Sequence, residues 1–169
     1  ERVLSAFYTL YKEAMERNNA SDYYMLSEEL MNRHMQMGER IELIVAILND
    51  QIVGGVLFMV DRDRAHYHFS AVDYGKAKYQ ITDFILYNAI QKYAQDGNEE
   101  LHLGGGRSSD HDEPLYKFKR RYGNQVNSYF ISKVLLNSTR YETIRREKGI
   151  DVSRFFTIRD AAKEVSLCE

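Results

Sequence analysis

Three consecutive glycines, Gly104–Gly106, follow a short apolar segment in a chain that uses little glycine, with 10 among 169 residues. A glycine run lets backbone N–H groups approach a ligand without obstruction by Cβ atoms, which suits a phosphate, a carboxylate or a developing oxyanion. The spacing matches neither the P-loop, which ends in Gly-Lys-Ser/Thr, nor the Gly-x-Gly-x-x-Gly dinucleotide pattern. An ordinary turn seldom needs three glycines in a row, so we interpret this run as a ligand-binding backbone.

The basic segment Leu115–Gly123 follows the glycine run, and its helical spacing directs one cation, Lys119, toward the protein. At about 100° per residue, it falls about 40° from Leu115, at the edge of the apolar face that Leu115 shares with Phe118. Lys117 and Arg121 fall on the opposite, solvent side. A lysine at the edge of a cleft can supply a positive charge to a developing oxyanion, whereas a lysine that only covers apolar surface extends its ammonium into water. We take Lys119 as the candidate catalytic cation.

Three histidines are predicted to line the ligand cleft that Lys119 would border. His66 and His68 lie two residues apart on a predicted strand, so they share one face, and His102 lies on a neighbouring predicted strand. Together with the Asp-His-Asp sequence at 110–112, they could be drawn as a metal site. We expect no metal, because neither a helical histidine pair nor a cysteine fixes the ligand spacing.

Asp73 and Asp110 are candidate acceptors for a proton from an amine, although carboxylates are also common at surface turns for structural reasons. Tyr23 and Tyr24, between the first two predicted helices, could stack on a substrate or simply pack. The other candidate substrate-binding residues flank the predicted cleft or lie near or on the basic segment: Ser70, Ala71, Val72, Gly104, Gly105, Gly106, Arg107, Tyr116, Phe118 and Arg120.

The elements that position these residues follow from hydropathy, because spacing at three and four residues predicts helices and β-rich runs between turn residues predict strands. The predicted order is α-α-β-β-β-α-β-α-β-α, with helices at 1–17, 27–38, 81–95, 115–122 and 139–147 and strands at 41–48, 52–60, 65–72, 100–103 and 126–136. The helix between the third and fourth strands is long enough for a parallel crossover. We therefore expect an α/β (α+β) fold with a mixed, mainly antiparallel sheet, helices on both faces and a ligand cleft at the carboxyl ends of the parallel pair.

Composition narrows the class of protein. The length suits a single domain, 1–169, and the net charge of −2 gives no overall attraction to nucleic acid or anionic lipid. The longest apolar stretches, of about nine residues, are half of what a membrane-spanning helix needs, so we expect no membrane insertion. A single cysteine, Cys168, gives no disulfide framework and favours a reducing, cytoplasmic setting. The sequence starts at Glu1 within a helical pattern, so we expect it to be part of a longer protein.

The order of elements resembles the GNAT acyltransferase fold, and three motifs resemble the Fem-type (FemABX) aminoacyltransferases: His66–Ser70, His102–Gly106 and Phe118–Gly123. Leu10-Tyr11, Arg17–Ala20 and Phe155-Phe156 are also similar to that group. The resemblance implies transfer of an aminoacyl group from aminoacyl-tRNA in the synthesis of peptidoglycan interpeptide bridges. It also implies that Lys119 stabilises the tetrahedral intermediate.

Two features depart from this resemblance. Fem-type enzymes usually contain two GNAT-like units, and this chain has one, which would make it the C-terminal unit of a longer two-unit protein. The acyl-CoA loop of GNAT enzymes reads Gln/Arg-x-x-Gly-x-Gly/Ala. Val72–Ala77 has the glycine and the alanine without the leading Gln or Arg, which leans against acetyl-CoA as the donor.

We expect a Fem-like N-acyltransferase without a permanently bound cofactor, which transfers an aminoacyl or acyl group from aminoacyl-tRNA or acyl-CoA to an amine of a cell-wall precursor or peptide. The donor would enter between the third and fourth strands, backbone N–H groups near Ser70–Val72 would polarise its carbonyl, and Lys119 would stabilise the oxyanion. Asp73, Asp110 or the substrate would take the proton. The acceptor partner would be a small-molecule or peptide amine. Two alternatives stay open: an acetyl-CoA-dependent N-acetyltransferase, and a non-catalytic RNA- or protein-binding module that uses the basic segment.

Overall fold

The computed structural model describes residues 2–106, 108, 110–130, 132 and 134–149. The chain divides into two compact units, Glu1–Asn124 and Gln125–Glu169. Within the described ranges, every helix is too short or too polar to cross a membrane.

The first unit contains a four-stranded sheet made of β1 (Ile41–Leu48), β2 (Gln51–Asp61), β3 (Arg64–Val72) and β4 (Glu100–His102). The strands lie side by side in that order. The pairs β1–β2 and β2–β3 are antiparallel, whereas β3 and β4 are parallel. This confirms the predicted mixed, mainly antiparallel sheet with a crossover between the third and fourth strands.

In its described part, this unit also contains the α-helices α1 (Arg2–Arg17), α2 (Glu28–Met35), α3 (Ile81–Gln95) and α4 (Pro114–Arg120), with short 3₁₀ helices at Asp22–Tyr24, Gly38–Arg40 and Tyr74–Tyr79. Ser27 caps α2, as the sequence predicts, because its hydroxyl accepts the N–H of Leu30 at 3.2 Å. Helix α3 forms the crossover that brings β4 alongside β3 in parallel orientation.

Helices cover both faces of the sheet, which confirms that part of the predicted fold. On one face, Ile85 of α3 packs in a buried cluster with Phe58. On the other face, Phe7 of α1 and Met31 of α2 pack in a second buried cluster with Leu57. Leu57 and Phe58 are neighbours on β2 and join opposite clusters, because successive side chains of a strand point to opposite faces.

Strand β3 contains a β-bulge at His68. Leu57 pairs with Phe69 and Phe58 pairs with Tyr67, so His68 has no partner on β2. An extra residue of this kind bends the strand and changes which residues share a face. Tyr67 belongs to the cluster on the α3 side, whereas Phe69 packs on the α1 side, although the two are only two residues apart.

The second unit contains α5 (Ser138–Glu147), which Asn137 caps by accepting the N–H of Arg140 at 2.8 Å. The predicted strand at 126–136 is wrong, because residues 126–130, 132 and 134–136 form no strand. A β-rich sequence becomes a strand only where a neighbouring strand pairs with its backbone groups, so composition alone does not make this segment a strand. Cys168 and the Phe155-Phe156 pair lie outside the described residues.

Gly55→Ala tests how closely α1 packs on the sheet. A Cβ atom at Gly55 would lie 2.7 Å from Cδ2 of the buried Phe7 ring. Because the ring or the backbone must shift, we expect the free energy of unfolding to fall by about 1–3 kcal/mol, measured by urea denaturation followed by circular dichroism. Gly105→Ala is the matched control, since a Cβ there meets no atom within 4 Å. The control should change stability by less than about 0.5 kcal/mol, and equal losses in the two variants would contradict the prediction.

Candidate active site

Strands β3 and β4 pair over a short ladder, and we call the space beside the edge of β3 that follows this ladder the cleft. Their ladder ends at the pair His66↔His102. Beyond it, the rest of β3, Tyr67–Val72, pairs with β2 on one side, and no strand of the described residues pairs with its other edge. At about 3.3 Å per residue, this open edge runs for about 17 Å, and every second backbone N–H along it points into the cleft. The cleft therefore has a closed end at His66 and His102 and an open end near Val72.

The three glycines turn the chain away from the sheet and let it pack against α4. Gly104 has a left-handed φ of +72°, which glycine adopts without strain. A Cβ atom at Gly106 would lie 2.5 Å from Oε2 of Glu113. The Glu113 carboxylate caps α4, because it accepts the N–H groups of Leu115 at 3.1 Å and Tyr116 at 2.9 Å. The absence of a side chain at Gly106 thus makes room for the start of α4.

Lys119 points from α4 toward the closed end of the cleft. Its Nζ donates a hydrogen bond to the carbonyl oxygen of Gly105 at 2.9 Å. The same Nζ lies 5.3 Å from the centroid of the Tyr67 ring, which belongs to the first residue of β3 after the ladder ends. Burial lowers the pKa of the Lys119 ammonium, and the Glu113 carboxylate partly opposes this shift. Among the described residues of α4, Lys119 thus has its ammonium close to the glycine run and to Tyr67 of β3.

Three neighbours of Lys119 on α4 make contacts of their own. Lys117 pairs with Asp112 at 2.8 Å, with more than half of its side chain exposed. Arg120 is exposed and donates a hydrogen bond to the carbonyl oxygen of Gly123 at 2.6 Å. Phe118 packs on the α3-side cluster. Arg120 and Phe118 were candidate substrate-binding residues, and the structure gives both of them local structural contacts.

The histidines gather on the face of the sheet that α1 and α2 cover. Nδ1 of His66 and Nδ1 of His102 lie 2.8 Å apart, with the rings stacked at 4.9 Å. The ring centroid of His68 lies 6.1 Å from that of His66, and the ring centroid of His34 on α2 lies 5.5 Å from that of His68. Burial lowers the pKa of His66, with smaller contributions from His102 and Lys119. Burial, followed by His34 and His66, lowers the pKa of His68 to about 4.

Sequence reasoning grouped three of these histidines and missed His34. The signal was present, since the helical spacing places His34 on the inner face of the second helix, but its partner on β3 could not be identified from spacing. Among the described residues, no group of three or more His, Cys, Asp or Glu side chains is arranged to hold a metal ion.

The candidate proton acceptors Asp73 and Asp110 both make hydrogen bonds within their own turns. Oδ1 of Asp73 accepts the N–H of Gly75 at 2.8 Å in the turn after β3, and Oδ1 of Asp110 accepts the N–H of Asp112 at 2.8 Å. No hydrogen bond or ion pair within the described residues joins either carboxylate to Lys119.

The candidate tyrosines and β3 residues occupy several environments. Tyr23 and Tyr24 are exposed at the connection between α1 and α2, with ring centroids 5.1 Å apart. Tyr116 stacks on His111 at 5.1 Å. Ser70 is half-buried, the side chains of Ala71 and Val72 pack in the two clusters, and Arg107 lies outside the described residues.

Several solved structures share this fold. An aminoglycoside acetyltransferase from an uncultured soil metagenomic sample, in complex with sisomicin, has a TM-score of 0.57 and 19% identity over 79% of this chain and 90% of that chain. A ribosomal-protein-alanine N-acetyltransferase from Brucella melitensis biovar Abortus 2308 has a TM-score of 0.58 and 16% identity over 79% of this chain and 94% of that chain. The PaiA N-acetyltransferase from Thermoplasma acidophilum, in complex with coenzyme A, has a TM-score of 0.56 and 15% identity over 75% of this chain and 86% of that chain. At these identities the similarity establishes the fold alone.

Comparison at the level of sequence gives the family. No curated protein matches the sequence significantly. The acetyltransferase (GNAT) domain family matches residues 1–120, which is nearly the whole of the first compact unit. Because this match also spans more than half of the 169 residues, the chain belongs to the acetyltransferase (GNAT) domain family.

Proposed function

We propose that this chain is an N-acetyltransferase that transfers an acyl group from an acyl-CoA thioester to the amine of a small molecule or peptide. The observation that carries the proposal is the Lys119 ammonium, held at the closed end of the cleft between β3 and β4. The family match to acetyltransferases supports acetyl-CoA as the donor more directly than aminoacyl-tRNA. A solved relative of the same fold contains coenzyme A, and another contains the amine-rich aminoglycoside sisomicin.

The open edge of β3 would guide the donor. Backbone N–H groups between Tyr67 and Val72 that point into the cleft can donate to the amide oxygens of an extended acyl-CoA arm, as a neighbouring strand would. The arm would enter at the open end, so that its thioester carbonyl reaches the closed end. This path places the reacting carbon beside Lys119.

Lys119 would stabilise the negative charge that develops on the carbonyl oxygen. An ammonium carries three N–H donors, and Gly105 accepts one of them, which fixes the direction of the side chain. Attack by the amine nitrogen moves the carbonyl electron pair onto oxygen, and collapse of the intermediate breaks the carbon–sulfur bond. A donor that is oriented before the reaction contributes about 10²–10³ to such a step.

A second candidate is aminoacyl transfer of the Fem type to a cell-wall precursor, and one observation favours it. The Asp73 carboxylate occupies the N–H of Gly75 in the turn after β3, where the pyrophosphate of a CoA donor would need free N–H groups. The acidic charge also opposes a pyrophosphate, although Lys76 and Lys78 lie in the same turn. An aminoacyl ester needs no pyrophosphate at this position.

Lys119→Met tests the catalytic cation. The change keeps the length of the side chain and removes its charge, so we expect turnover of acetyl-CoA with an amine acceptor to fall by about 100-fold while the circular dichroism spectrum stays the same. Acceptors to screen are an aminoglycoside, a polyamine and a peptide amine. Lys117→Met is the control, because Lys117 is exposed and pairs with Asp112 on the far side of α4. Equal turnover in the Lys119 variant and the unaltered chain would remove Lys119 from the mechanism.

The pH dependence tests the charge state of the same residue. Only the ammonium form stabilises the oxyanion, so activity is present below the pKa of Lys119 and is lost as the pH rises through it. Burial lowers that pKa, so the alkaline fall in kcat/KM should begin below the pH at which an ordinary lysine titrates. Lys119→Arg should move the fall to higher pH, since a guanidinium stays protonated. If kcat/KM fell at the same alkaline pH in Lys119→Arg and in the unaltered chain, the fall would belong to a group other than Lys119.

Calorimetry with coenzyme A separates the two donors. Micromolar binding supports the acyl-CoA reaction, whereas no binding supports the aminoacyl donor. If the pyrophosphate meets the turn after β3, Asp73→Asn should tighten binding by about fivefold, because removal of one charge at about 4 Å changes the interaction by about 1 kcal/mol in water. Asp112→Asn removes the same charge from the loop before α4 and should leave the affinity for coenzyme A unchanged.

A further inference from the structure

Four of the five histidines of the chain form one row along the face covered by α1 and α2. The row runs from His34 on α2 through His68 and His66 on β3 to His102 on β4. Its last two members, His66 and His102, share a hydrogen bond of 2.8 Å between their Nδ1 atoms. They occupy the last paired position of the two strands, which is the closed end of the cleft.

A bond between two Nδ1 atoms constrains where the protons lie. One ring must donate its Nδ1–H, and the other must accept with a bare Nδ1. In the uncharged pair, the donating ring then has an unprotonated Nε2, which is a base. When this Nε2 takes a proton, the Nδ1–H bond becomes charge-assisted and stronger. A second proton would place N–H against N–H, so the pair accepts one proton and resists another.

The surroundings determine which ring carries the proton. His66 is half-buried between His68 and His102, whereas His102 is exposed. Burial, His102 and Lys119 all lower the pKa of His66. Water reaches the exposed ring of His102 and can solvate a charge there, so His102 is the ring that donates the Nδ1–H bond and the half-buried His66 is the ring that accepts it.

We propose that His102 is the base that takes the proton from the acceptor amine, and that His66 positions it. The proposal rests on the proposed acyl transfer. Lys119 approaches the closed end through Tyr67, on the α3 side of the sheet, and the histidine pair lies on the opposite side. A carbonyl at the closed end would thus have a cation for its oxygen and a base for its attacking nitrogen.

The competing bases lie farther away. Asp73 follows Val72 at the open end, and at about 3.3 Å per residue it is about 23 Å along the strand from His66. Asp110 lies in the loop before α4, where its Oδ1 accepts the N–H of Asp112. Of these candidates, the histidine pair is the one at the point where the strands part.

The reaction balances with this assignment. The acceptor arrives as an ammonium and gives one proton to Nε2 of His102. Its nitrogen then attacks the thioester carbon, and the carbonyl electron pair moves to oxygen beside Lys119. When the pair returns, the carbon–sulfur bond breaks, and the thiolate leaves with the bonding electrons and takes the second nitrogen proton through water. The products are an amide and a thiol, and His102 returns its proton to solvent.

Few charges face the pair within the described residues. Arg64 of β3 and Glu100 of β4 lie two pairs earlier on the same face and pair with each other at 3.7 Å. His68 has a pKa of about 4 and is uncharged near neutrality. Lys119 is the remaining cation beside His66.

Two acceptors separate proton removal from other roles of His102. An alkylamine is an ammonium at neutral pH and must lose a proton, whereas hydroxylamine is already uncharged. With acetyl-CoA as donor, His102→Gln should lower kcat/KM for the alkylamine by about 100-fold and leave hydroxylamine within about threefold. Lys119→Met should slow both acceptors. His111→Gln, a histidine outside the row, should change neither.

The tautomers provide a readout that needs no donor. Nitrogen NMR of the histidine rings in the unaltered chain should show His102 protonated at Nδ1 and bare at Nε2, with the reverse for His66. The proposal is overturned if Nδ1 of His102 carries no proton. It is also overturned if His102→Gln transfers the acyl group as fast as the unaltered chain, or if kcat/KM falls by the same factor for both acceptors. No transfer by the unaltered chain to either acceptor overturns the proposed function and this inference with it, whereas transfer unaffected by His102→Gln overturns this inference alone.

Discussion

The parallel ladder between β3 and β4 joins three residue pairs within residues 64–106, all of which the structure describes, and the proposed site depends on its short length. The ladder stops where β4 ends, at His102, and the backbone changes in both segments close to this position. The bulge at His68 bends β3 just past the last pair, and Gly104 takes the other chain into a left-handed conformation. Full pairing of these strands would satisfy the edge of β3 and leave no position for a donor. The separation therefore depends on local backbone geometry in two distant segments.

Periodicity predicts most of the first unit because its elements are bounded by clear turn residues. The strand at 41–48 and the helix at 81–95 have the bounds that the sequence predicts, and the parallel crossover follows from the length of that helix. The same reasoning fails at 126–136. Its composition favours a strand, but pairing depends on a neighbour elsewhere in the chain, which composition does not reveal.

The sequence predicts the site less completely than the fold, because some features of the site depend on local spacing and others on contacts between distant segments. The angle of Lys119 on its helix depends only on local spacing, so the sequence predicts its direction. The bulge at His68 depends on the register of two strands, and it places Tyr67 and Phe69 on opposite faces where strict alternation predicts the same face. The contact between Gly106 and Glu113 likewise arises from packing between a loop and a helix end. These packing contacts give the glycine run a structural role that its sequence alone does not predict.

The two halves of the proposed site influence each other through charge. Lys119 disfavours protonation of His66, so the cation that would stabilise the oxyanion also helps to keep the histidine pair unprotonated and able to accept a proton. As negative charge develops on the carbonyl oxygen, it offsets the ammonium, and the cost of an imidazolium nearby falls. An imidazolium that formed before the attack is therefore stabilised as the tetrahedral intermediate forms. A cation and a base on opposite sides of one sheet edge can thus act in sequence without a carboxylate between them.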